Sequence, residues 1–100
     1  MQTTIQEQEG NIIAILEGSL DTAAVPETET AMSPLLEATD KDVIIDCTDL
    51  KYICSGGLRI FLGVLKSTQE KGHQVFIKGI SNDVRAVFAM TGFINLFKVK

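Results

Sequence analysis

The chain has 100 residues, 45% of them hydrophobic, and 13 acidic against nine basic side chains leave a net charge of −4. That size makes one small domain, and that apolar content excludes a disordered segment. An acidic balance without clustered cations speaks against binding to a nucleic-acid backbone and against reading anionic membranes.

From the N-terminus, Met1–Gly10 is polar and acidic with no apolar signal region. Apolar runs such as Ile12–Leu16 and Ile60–Leu62 fall far short of the roughly 20 residues that span a bilayer. A soluble, intracellular protein is expected. Residues Thr3–Glu9 and Asn11–Glu17 alternate in apolar character and read as two strands joined by a tight turn at Gly10-Asn11. The unbroken IIAIL run of the second suits a strand covered on both faces.

Gly18-Ser19-Leu20-Asp21 then leads into a helix over Thr22–Ala38, which Asp21 or Thr22 can cap. Pro26 fits its first turn, whereas Pro34 removes the bond to the Thr30 carbonyl. A kink near Ser33-Pro34, or two short helices, is expected. Asp40-Lys41-Asp42 is a polar turn, Val43–Cys47 a short buried strand, and Thr48–Ser55 a loop. The strongest helical signal runs from Gly56 to Lys71, where Leu58, Phe61, Leu62 and Leu65 form the apolar stripe and Gly72 the stop. Gln74–Lys78 is a strand, Ser81 caps a helix over Asn82–Thr91, and a short strand around Phe97–Val99 closes the chain. The order β-β-α-β-α-β-α-β describes an α/β domain. Its βαβ unit points to Thr48–Gly57, because open α/β sheets carry function at the carboxyl ends of their strands.

Ser55-Gly56-Gly57 supports two compatible readings. Ser55 is an N-cap with two glycines for a tight helix start, or an exposed hydroxyl placed for modification. A phosphate there would lie at the positive end of a helix. The glycine pair does not make a nucleotide loop, because neither G-x-G-x-x-G nor a Gly-rich run ending in Lys-Ser/Thr is present. Cys54 is the one catalytic candidate, yet it has no base: His73 lies past the far end of the helix, about 25 Å away. Cys54 and Cys47 therefore read as small apolar residues, Cys54 under the helix and Cys47 in the core. Two cysteines and one histidine cannot build a four-ligand zinc site or a disulfide framework. Asp21, Asp46 and Asp49 have no recognised magnesium-loop spacing, so capping and turn roles are expected for Asp21 and Asp49. His73 carries no assigned role, and Arg59, Lys66 and Lys71 read as a solvated helix face.

The stretch DCTDLKYICSGGLRIFLGVLK (Asp46–Lys66) resembles the signature of STAS domains, the anti-sigma factor antagonist family. GSLDTAAVPETE (Gly18–Glu29) is similar to the family's G-x-L-D approach to the first helix, and VRAVFAMTGFINLFKV (Val84–Val99) to its closing helix, T-G turn and last strand. The resemblance implies a single STAS-like domain with a mixed β-sheet and helices packed on it. It implies protein–protein switching in the cytoplasm, without catalysis or cofactor. In the family's switching members an anti-sigma factor with serine kinase activity phosphorylates the loop serine, and a serine phosphatase reverses it. The unphosphorylated domain binds the anti-sigma factor. On that pattern Ser55 is the phosphoacceptor, and Asp21, Cys54, Ser55, Gly56, Gly57 and Arg59 form the partner-binding set. Two residues depart from it: Cys54 stands where many members have Asp, and Gly56 where they have a second Ser. Two other readings stay open, a STAS accessory subunit of a lipid-transport complex without a switch, and an enzyme or redox sensor using Cys54. The oligomeric state is open as well.

Overall fold

The computed structural model describes residues 1–37 and 41–99. Strands β1 (Gln2–Gln8) and β2 (Asn11–Leu20) are followed by a 3₁₀ turn (Thr22–Ala24) and helix α1 (Val25–Glu37). Then come β3 (Asp42–Ile53), α2 (Ser55–Glu70), β4 (Val75–Lys78), α3 (Asn82–Met90), a second 3₁₀ turn (Phe93–Asn95) and β5 (Lys98–Val99). This is the element order expected. The helix end at Ala38 and the turn residue Asp40 lie outside the described residues.

Among the described residues the strands form one mixed sheet in the order β1-β2-β3-β4-β5. β1 runs antiparallel to β2, and every later pair is parallel. Each parallel step moves the same way across the sheet, so right-handed crossovers place all three helices on one face. The core agrees: Ile12, Ala14 and Leu16 of β2 and Val43, Ile45 and Cys47 of β3 share one cluster with Met32, Phe61 and Phe88 of the helices. Ile13 and Ile15 point to the opposite face and are only half-buried. The IIAIL run is thus covered on one side, not both. Phe61, Phe88 and Phe97 pack edge-on or tilted with centroids 5.9 to 6.4 Å apart, joining α2, α3 and the approach to β5.

The hairpin pairs Gln8 with Asn11, so its two-residue loop is Glu9-Gly10, one residue earlier than expected. Glu9 has φ 52° and Gly10 φ 80°, the left-handed pair of a type I′ turn. Glu9 carries a Cβ into a region that asparagine tolerates better. Glu9→Asn should raise stability by about 0.5 kcal/mol, read as a higher thermal midpoint.

Pro34 sits inside an unbroken α1. The carbonyl it deprives of a donor belongs to Thr30, and Ser33 Oγ donates to that oxygen at 2.8 Å. The two short helices expected there do not form, and the irregular turn comes before the helix, at Thr22–Ala24. On its inner face Thr28 is fully buried, and its Oγ1 has no hydrogen-bond partner among the described residues. A buried hydroxyl without a partner costs more than the methyl that could replace it. Thr28→Val is expected to stabilise the domain by about 1 kcal/mol in denaturant titration.

The largest departure from expectation is β3, which runs on through Ile53 where a loop over Thr48–Ser55 was expected. Pairing advances from Ile15–Asp46 to Glu17–Asp49 and from Gly18–Leu50 to Ser19–Tyr52, so β3 carries an extra residue at each of two bulges. At the first bulge the Asp46 carboxylate accepts from the Thr48 N–H at 3.0 Å and from its hydroxyl at 2.7 Å. Bulging turns Cys47, Leu50 and Ile53 inward every third residue.

Two other expectations change at the opposite end of the sheet. His73 is not idle, because its Nδ1 lies 3.2 Å from Asp42 Oδ1, which also accepts the Gln74 N–H at 3.0 Å. Lys71 is not simply solvated: its ammonium and the Ser67 hydroxyl both donate to the Leu36 carbonyl, fastening the ends of α1 and α2 together. Among the described residues no helix is long and apolar enough to cross a membrane.

Candidate functional site

Parallel pairing of β2 with β3 brings the carboxyl ends of both strands side by side, with Leu20 opposite Ile53. The Cys54 N–H donates to the Leu20 carbonyl at 3.0 Å, so the two strand ends leave the sheet locked together. Asp21 leaves from β2 and caps the 3₁₀ turn, its carboxylate accepting from the Ala24 N–H at 3.0 Å. The capping role read from the sequence holds.

From β3 the chain enters α2, and here the cap differs from expectation. Cys54, not Ser55, occupies the N-cap position in an extended conformation, and no side chain caps the helix. Ser55 is the first helical residue and is exposed. Its hydroxyl is free of a capping duty. The first intrahelical bond runs from the Leu58 N–H to the Cys54 carbonyl at 3.1 Å. The N–H groups of Ser55, Gly56 and Gly57 therefore have no partner within the helix.

The two glycines do different work. A Cβ on Gly57 would lie 2.7 Å from Leu20 Cδ2 and 2.8 Å from Ile53 Cγ1. Only a glycine lets α2 seat its first turn directly on the ends of β2 and β3. A Cβ on Gly56 would stand 3.0 Å from Val25 Cγ2, partly filling the space between α2 and α1. That space is a shallow groove of about 300 Å³. Cys54, Ser55, Gly56 and Arg59 line it from the α2 side, and Thr22, Val25 and Pro26 from the α1 side. Arg59 lies one turn beyond Ser55, on the same face of α2.

The fold thus gathers Cys54, Ser55, Gly56 and Arg59 in one groove, with Asp21 immediately beside its Thr22 wall. Gly57 is buried beneath the site and supports it from below. Cys54 was expected under the helix; it is half-buried and faces the groove. Cys47 is the core cysteine, and burial, helped by the nearby Asp46 carboxylate, pushes its thiol up to about 12. It stays a neutral, inert thiol. Sequence reading missed Thr22, Val25 and Pro26. The signal was available, since they follow Asp21 and a parallel sheet sets neighbouring strand ends together. Among the described residues no cluster of three or more His, Cys, Asp or Glu is placed to hold a metal ion.

The chain is 30% identical over 82 residues to the anti-sigma-B factor antagonist of Staphylococcus aureus (strain NCTC 8325 / PS 47), covering 82% of this chain and 76% of that one. Its fold matches an anti-sigma factor antagonist from Mycobacterium paratuberculosis with a TM-score of 0.83 at 20% identity, over 98% of this chain and 83% of that one. It also matches the anti-sigma factor antagonist SpoIIAA in its unphosphorylated form, with a TM-score of 0.74 at 17% identity, over 99% and 87% of the two chains. The model of the STAS domain family matches residues 2–100, and the chain belongs to that family.

Proposed function

We propose that the protein is an anti-sigma factor antagonist of a cytoplasmic partner-switching pathway, with Ser55 as the switch. The observation that carries the reading is the Ser55 hydroxyl: exposed, at the first position of a rigid helix, and excused from capping because Cys54 holds the N-cap. The Staphylococcus aureus relative is named an anti-sigma-B factor antagonist, and SpoIIAA has also been solved in a phosphorylated form. Unmodified, the groove around Ser55 and the first turns of α2 dock on an anti-sigma factor, which releases its sigma factor. That partner is a serine kinase: it moves the terminal phosphoryl of ATP to Ser55 Oγ, takes the hydroxyl proton, and leaves ADP. A serine phosphatase restores the hydroxyl. The antagonist contributes binding surface and acceptor, and no catalysis of its own. The Cys54 departure does not remove the acceptor, since the cysteine keeps its place as N-cap backbone and groove wall.

The test mixes the protein with its kinase-type anti-sigma factor and follows the complex after ATP is added. The complex should dissociate as Ser55 is phosphorylated, and Ser55→Ala should hold it together. A complex that ignores ATP would instead mark an accessory STAS subunit without a switch.

A further inference from the structure

A phosphate on Ser55 raises a question that overall charge does not answer. It would sit among three N–H groups that have no partner within the helix, at the positive end of α2, where an anion is attracted. The chain's net charge of −4 is spread over the molecule, and salt screens it beyond about 8 Å. Repulsion by the bulk charge is therefore a weak way to end docking. The groove holds a better candidate. Among the described residues Arg59 is exposed, makes no ion pair or hydrogen bond, and is the one charged residue lining the groove. It stands four residues after Ser55, the helical spacing at which a phosphoserine and a guanidinium meet.

We infer that Arg59 is a shared cation: an acidic side chain of the docking partner takes it when Ser55 is unmodified, and the Ser55 phosphate takes it in cis afterwards. The inference rests on the switch proposed above and supplies its physical step. Phosphorylation withdraws the guanidinium from the interface and leaves the partner's carboxylate without its counter-charge, at an interface where losing one half of a charge pair is costly. The groove itself stays folded, because the new pair satisfies the phosphate locally.

The test installs phosphoserine at position 55 during synthesis, so it does not depend on any kinase, and titrates the phosphate by ³¹P NMR in the wild type, Arg59→Lys and Arg59→Gln. A guanidinium in contact favours the dianion, so the second ionisation in the wild type should fall below that in Arg59→Gln by about half a pH unit or more. Arg59→Lys should lie between them. In the unphosphorylated protein, Arg59→Gln should weaken binding to the anti-sigma partner at least tenfold. Equal phosphate titration in the wild type and Arg59→Gln would overturn the cis pairing, and unchanged partner affinity in Arg59→Gln would overturn the sharing. A host in which Ser55 is never phosphorylated would count against the switch itself, while the titration would still read the pairing.

Discussion

Ser55→Glu is expected to lower affinity for the anti-sigma partner by a hundredfold or more, while Ser55→Ala binds as the wild type does and no longer responds to ATP. Neither change should disturb the fold, because Ser55 is exposed and its side chain caps nothing. A carboxylate at the first position of α2 is itself favourable to the helix, by about 0.3–1 kcal/mol. Loss of binding in Ser55→Glu would thus arise at the interface and not from unfolding. The magnitude follows from what a switch requires: moving an equilibrium from 99:1 to 1:99 takes roughly a 10⁴-fold difference in affinity. Glutamate carries one charge and no phosphate geometry, so it should deliver only part of that range. Isothermal titration of the three proteins against one partner preparation measures the series.

Gly57→Val should destabilise the domain by about 3 kcal/mol or more and remove partner binding with it. The cost is set by the 2.7 and 2.8 Å approaches that any Cβ there would make to Leu20 and Ile53. Both neighbours are buried, with no room to retreat: Leu20 is fully covered and Ile53 is 1% exposed. The same contact points inward under Ser55, so relief requires α2 to lift away from the strand ends, opening the groove. Gly57→Ala makes the smaller version of the test. Alanine regains about 1 kcal/mol of helix propensity, and overpacking should still exceed it. Gly56 provides the contrast. Its Cβ would meet a single flexible Val25 methyl at 3.0 Å, so Gly56→Ala should change partner binding more than stability.

What was legible in the sequence, and what was not, follows from how each element states itself. The stripe Leu58, Phe61, Leu62 and Leu65 announces α2 because a helix facing one sheet needs that spacing, and the helix was read to within a residue at each end. β3 was half-read for an equally physical reason. Its two bulges replace the period-two alternation with burial at Cys47, Leu50 and Ile53, a spacing that resembles neither a strand nor a helix. Pro34 does not split α1, because the carbonyl it leaves without a donor accepts from the Ser33 hydroxyl, which no propensity counts. The place of Ser55 beside two glycines, at the entry to α2, was legible in the sequence. Its release from capping was not, since the one-residue difference between N-cap and first helical position depends on how β3 leaves the sheet. The groove was hidden as well, because its α1 wall comes from residues more than 25 positions away in the chain.

The proposed switch rests on a phosphate at Ser55. Mass spectrometry of the protein recovered from its host, with and without the serine phosphatase proposed above, maps that phosphate most directly. A single phosphate is expected on the tryptic peptide that contains Ser55, more abundant without the phosphatase and absent from Ser55→Ala. No phosphate on that peptide under either condition, alongside a partner complex that Ser55→Glu leaves intact, would contradict it.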